Sequence, residues 1–124
     1  MNTKTRNTIN WVLAGLLALI YIGSAAGKLS GSADAVKMAE GFGISAGSFT
    51  FLGVVELIAV ILFVIPRTGI LGTLILAAYM GGAVASHLEH NLSILAPVVI
   101  SAFVWIVAVV RFPELTQRIM AKRN

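Results

Sequence analysis

The chain has 124 residues, the length of one domain. Apolar residues make up 58% of it and charged residues 11%, with a mean hydropathy of +0.94, which excludes a water-soluble globule. Sparse charge and long apolar blocks also exclude a disordered or nucleic-acid-binding chain despite the +4 formal charge, and the absence of cysteine excludes a disulfide framework, a thiolate metal site and a dithiol relay.

A hydrocarbon core of ~30 Å is crossed by a mostly apolar helix of ~17–25 residues. Four stretches meet that requirement: 9–27, 49–65, 69–86 and 94–110, and only the second contains a charge, Glu56. The first follows Lys4 and Arg6. Its apolar run from Trp11 to Ile22, then Ser24-Ala25-Ala26, imitates a secretory signal with its cleavage site. The apolar character continues to Gly27, so an uncleaved helix is expected. The outer loop, 30–48, is the only long one. Within it Ala33 to Glu40 is expected to form two turns of helix lying flat at the interface, and Gly41-Phe42-Gly43-Ile44 returns the chain to the membrane, where a lid over the outer mouth stays open as an alternative reading of Phe42. Pro66-Arg67 ends the second span. Asn91 and Ser93 are expected to cap the fourth, with Pro97 in its first turn. Pro113 ends it, and Glu114 to Arg123 is expected to form a short amphipathic surface helix.

Short connections between the spans predict an all-α, four-helix antiparallel transmembrane bundle, one integral membrane domain over residues 1–124. Lys4, Arg6, Arg67, Arg111, Arg118, Lys122 and Arg123 fall on the side of the termini, and only Lys28 and Lys37 on the other. That bias places both termini in the cytoplasm and the protein in the plasma (inner) membrane. The basic tail is expected to meet anionic lipid headgroups.

This topology brings polar residues together. Lys28 closes the first span, Glu56 lies ~10 Å below the start of the second, and His87 closes the third, followed by Glu89 and His90. An acid inside a span faces the interior and takes a partner; Lys28, with its long stem, is the natural one. The pair is open to two readings, a functional site or a pin between two helices. Helical spacing adds Tyr21, on the Lys28 face with Ser24 between them, and Met80, on the His87 face. Tyr79 sits beside Gly81-Gly82, and Phe63 shares the Glu56 face with Leu52, Gly53 and Val60. An acid above a wall of Phe, Met and Tyr suits an amphipathic ligand with a polar head and an apolar body, although such stripes are also ordinary bundle core. Gly15, Gly23, Gly53, Gly72, Gly81 and Gly82 are expected to permit close helix contacts. His87 and His90 lack a supporting thiolate and lie at one end of one helix, so neither a metal nor a haem is expected. Ser86 beside His87 points about 100° away from it, which argues against a serine–histidine nucleophile. Tyr21-Ile-Gly23-Ser-Ala25 echoes Tyr79-Met-Gly81-Gly-Ala83, a faint repeat of two parallel hairpins.

Gly27-Lys28-Leu29, Gly53-Val-Val-Glu56-Leu57, Pro66-Arg67-Thr-Gly69 and Ala78-Tyr-Met80-Gly81-Gly82-Ala83 through His87-Leu88 together resemble the DoxX-like family of small four-helix membrane proteins, in the right order over about residues 10–110. The resemblance implies a four-helix membrane bundle with Lys28, Glu56 and His87 as its polar residues. Relatives include membrane subunits linked to quinone-dependent sulfur oxidation, associates of redox-stress enzymes and assembly chaperones for membrane receptors. Three functions are therefore expected in descending order. The first is a non-catalytic quinone- or lipid-binding subunit that anchors or assists a redox partner, with Lys28, Glu56, His87, Tyr21, Tyr79, Met80 and Phe63 as ligand-binding candidates and no tightly bound cofactor. The second is an assembly or scaffold protein with Lys28–Glu56 as a structural pair. The third is a small transporter. A homodimer is also expected, since one small bundle encloses little space.

Overall fold

Asn2 begins the first helix. Its Oδ1 accepts a hydrogen bond from Thr5 N at 2.7 Å, so α1 (Thr3–Ser30) starts well before the apolar run does. Asparagine there satisfies one of the free N–H groups of the first turn. The structure, a computed structural model, describes residues 2–121. Within them the chain continues as α2 (Ala33–Phe42), α3 (Ala46–Val64), a 3₁₀ turn (Pro66–Thr68), α4 (Gly69–Glu89), α5 (Leu95–Arg111) and α6 (Pro113–Ile119). It is all-helical.

The helix ends follow from local chemistry. Gly31 and Gly43 take left-handed backbone at φ 69° and 65° and close α1 and α2, a conformation that glycine adopts without steric cost. Ser32 and Ser45 open α2 and α3 by accepting from Ala35 N and Ser48 N, each at 3.2 Å. Pro66 has no N–H to offer the Leu62 carbonyl one turn back. The Thr68 hydroxyl supplies that hydrogen bond instead, at 2.9 Å. The expected cap at Asn91 is not found: Asn91 is itself in left-handed backbone at φ 56°. Ser93 Oγ accepts from Leu95 N at 3.2 Å, while Pro97 occupies the first turn of α5 as its missing N–H allows.

α1 packs chiefly on α3, α3 on α4 and α4 on α5, and α5 closes back on α1. Leu17, Val60, Phe63, Leu76, Val104 and Val107 fill the space between them at 1% exposure or less. The outer surface is apolar too: Leu19 and Leu95 are each 70% exposed, as suits helices solvated by lipid rather than by water. α1, α3 and α4 are long and apolar enough to cross a membrane. α5 makes a fourth such element if it is taken together with α6, which leaves it at a 104° bend. α6 ends at Ile119, and Lys122 and Arg123, expected in the tail helix, lie outside the described residues.

Two of the six expected glycine contacts are present. A Cβ on Gly53 would meet Lys28 Cβ at 2.9 Å, and one on Gly72 would meet the Phe63 Cα at 2.6 Å. At Gly15, Gly23, Gly81 and Gly82 nothing lies within 4 Å of that position, so these glycines face outward and permit no close approach within the chain. Gly69, which hydropathy alone does not single out, does face a neighbour: the Phe112 ring fills the place of its missing side chain.

Candidate functional site

Glu56 is the eleventh residue of α3 and is 1% exposed. The close approach at Gly53 lets α1 come near enough for Lys28 to reach it, and Lys28 Nζ stands 2.5 Å from Glu56 Oε1. Ser24, one turn before Lys28, accepts from Lys28 Nζ at 2.6 Å and donates to the same Oε1 at 3.2 Å. The Tyr79 hydroxyl donates to that oxygen from α4. Three helices thus meet on one carboxylate oxygen through an ammonium and two hydroxyls. Charge-assisted hydrogen bonds of this kind are stronger than neutral ones, and they offset part of the cost of placing a carboxylate at this depth.

The network borders open space. A cavity of about 190 Å³ is lined by Tyr21, Ser24, Lys28, Glu56, Tyr79 and Met80. Met38 of α2 and Pro97 of α5 also reach it. A larger cavity of about 410 Å³ lies between α3 and α4 and is mostly apolar, with Phe51, Leu52, Val55 and Ile75 in its wall. Tyr79, Ala83 and His87, spaced four apart on α4, belong to the walls of both. His87 Nδ1 donates to Ala83 O at 2.6 Å, since a carbonyl oxygen only accepts, and Nε2 is left as the ring nitrogen without a partner in the helix.

Phe42 of α2 lines the larger cavity beside His87. Its ring meets His87 edge-on at 4.9 Å between centroids and His90 at 5.7 Å. α2 rests on the protein rather than only on lipid: Ala39 is 6% exposed. Of the seven candidate residues, Lys28, Glu56, Tyr79, Tyr21, Met80 and His87 line the smaller cavity together. Phe63 does not. It is fully buried, with its ring edge-on to Phe112 at 5.8 Å. Seven residues separate it from Glu56, about 10 Å along α3, so a shared helix face does not bring it to the polar head of the site.

A second polar cluster, counted in the sequence only for its charge, lies at the other end of the helices. Arg111 is 7% exposed. Its guanidinium lies over the Trp11 ring at 4.4 Å and near Phe112 and Phe63 at 5.5 and 5.8 Å. Nη2 donates to Val64 O at 2.5 Å and Nη1 to Asn10 Oδ1 at 3.4 Å. Val64 is the last residue of α3, whose carbonyl the proline turn leaves without a helical donor. The signals available were Trp11 in the first half of α1 and an arginine followed by Phe112-Pro113, but their meeting spans 100 positions and no local pattern announces it.

The model of the DoxX-like family matches residues 12–110, and the chain belongs to that family. No curated protein and no solved structure matches it.

Proposed function

We propose that this DoxX-like membrane protein is a non-catalytic subunit that binds a lipophilic quinone or lipid at the Glu56 cluster and thereby anchors or assists a redox partner. In this reading the chain forms one integral domain of four antiparallel spans, the fourth being α5. Both termini lie on the cytoplasmic side of the plasma (inner) membrane, following the bias of basic residues.

The observation that carries the reading is the position of the ion pair. A pair that served only to join two helices would be sealed among apolar side chains, whereas Lys28 and Glu56 form part of a cavity wall. That cavity shares Tyr79, Ala83 and His87 with a larger apolar one, which suits a head-and-tail ligand. A bound quinone supplies two-electron redox chemistry. The residues of this chain hold its head against Glu56, Lys28 and His87, keep its body among Leu52, Val55 and Ile75, and shield the outer mouth with Phe42. Native mass spectrometry of the protein in mild detergent, wild type beside Glu56→Gln, tests the reading. A quinone or lipid carried by the wild type and lost from the variant is the expected result. A protein partner retained by both, with no bound lipophile in either, overturns it.

One observation favours a second reading, an assembly or scaffold protein. Glu56 Oε1 already takes three donors from within the chain, and these tie α1, α3 and α4 together. Transport finds less support. From the cluster towards Arg111 the interior is Leu17, Val60, Phe63 and Leu76, and the Thr73 hydroxyl there donates to Gly69 O.

A further inference from the structure

Tyr21 is 2% exposed, and its hydroxyl is buried without a hydrogen-bond partner. Buried polar groups are nearly always paired, and one that is not calls for an explanation such as a missing ligand. Its neighbours in the wall of the smaller cavity are otherwise engaged. Ser24 accepts from Lys28 and donates to Glu56, and Tyr79 donates to Glu56. Lys28 and Glu56 neutralise each other at 2.5 Å. The wall therefore offers a guest the unpartnered O–H of Tyr21, with the third N–H of Lys28, Glu56 Oε2 and a ring nitrogen of His87 beside it, and the charges of Lys28 and Glu56 are already paired.

That inventory selects a class of ligand. A phosphate or carboxylate head would bring a charge that the paired Lys28 no longer balances, and an ammonium head would compete with Lys28 for Glu56. Either would leave a charge unpaired away from water, a heavy cost. A carbonyl or hydroxyl oxygen instead accepts from Tyr21 at no charge. We propose that Tyr21 is the anchoring donor for a neutral, carbonyl- or hydroxyl-headed lipophile. Its head occupies the cavity of about 190 Å³ and its apolar chain passes Tyr79 and His87 into the one of about 410 Å³. This rests on the ligand-binding reading above and narrows its ligand to heads without charge.

The test uses the full-length protein in mild detergent, with decylubiquinone as the carbonyl-headed probe, decylbenzene as the same chain without a carbonyl, and dioleoylphosphatidylglycerol as the anionic lipid. Binding is followed by native mass spectrometry and by the shift in unfolding midpoint. Wild type is expected to prefer decylubiquinone to both other probes. Tyr21→Phe, which removes only an unpartnered hydroxyl, is expected to keep the ligand-free unfolding midpoint and to bind decylubiquinone about 5- to 10-fold more weakly. It is expected to bind decylbenzene as the wild type does. Equal binding of decylubiquinone by Tyr21→Phe and wild type, with Glu56→Gln weakened, overturns the role of Tyr21 and leaves the broader site standing. Preference of the wild type for phosphatidylglycerol overturns the neutral head, and decylbenzene bound as tightly as decylubiquinone does the same without any variant. Binding of none of the probes by the wild type overturns both this inference and the reading on which it rests.

Discussion

Arg111, the last residue of α5, lies over the ring of Trp11, in the first half of α1, at 4.4 Å. The same guanidinium donates to Val64 O at the end of α3, so one side chain gathers three helices at the end of the molecule away from Glu56. A planar, permanently charged fork suits this position because it stacks and donates at once.

Arg111→Lys is therefore expected to lower the unfolding midpoint in mild detergent, with a loss of about 2 kcal/mol from the stacked contact and the carbonyl hydrogen bond. An unchanged midpoint would show that the lysine satisfies Val64 O equally well and that the stack adds nothing.

Thr68 repairs what Pro66 removes. Thr68→Val leaves the Leu62 carbonyl without its hydroxyl donor, at a cost of about 1–3 kcal/mol. In a Pro66→Ala background the backbone N–H becomes available again, and the same substitution is expected to cost less. A thermodynamic cycle over the two positions measures the difference, and strict additivity would contradict the account.

The glycines divide by what they face. At Gly72 the added Cβ meets Phe63 backbone, which cannot turn aside, so Gly72→Ala is expected to force α3 and α4 apart and to cost about 1–3 kcal/mol. Gly82→Ala, with nothing within 4 Å, is expected to leave the unfolding midpoint unchanged or raise it slightly through helix propensity. Unfolding curves for the two variants side by side check the contrast.

For the ion pair, Lys28→Met alone leaves Glu56 buried beside two hydroxyls and is expected to cost about 3–5 kcal/mol. The double substitution Lys28→Met with Glu56→Leu removes the uncompensated charge and is expected to be less destabilising than the single one. If the double variant is the worse of the two, the pair is itself a source of stability and the structural reading gains.

The helices were legible because runs of apolar residues of bilayer length have few other solutions, and proline, glycine and serine mark where they stop. Their true ends were less so: α1 begins six residues before residue 9, where its apolar character is first evident, because Asn2 caps it. Glu56 and Lys28 were legible since an ionisable pair in apolar surroundings must find each other. Tyr79 was placed near the site but not on Glu56, because a hydroxyl at the end of a long ring has a reach that periodicity does not encode. Phe63 was misplaced for the converse reason: a helix face runs the whole length of α3, whereas the site occupies only part of it. Arg111 gave no sign of burial, since a basic residue at a span's end has an ordinary topological reading and its partners lie on distant segments.

Met38 and Phe42 are one turn apart on α2, and each borders a different cavity. The helix that carries them is ten residues long and is bounded by the left-handed glycines Gly31 and Gly43. It is a short rigid beam between two joints. A tilt of that beam cannot move one side chain without the other, so the two volumes share a single mechanical coordinate. A tilt that widened one volume would reshape the other through the same ten residues.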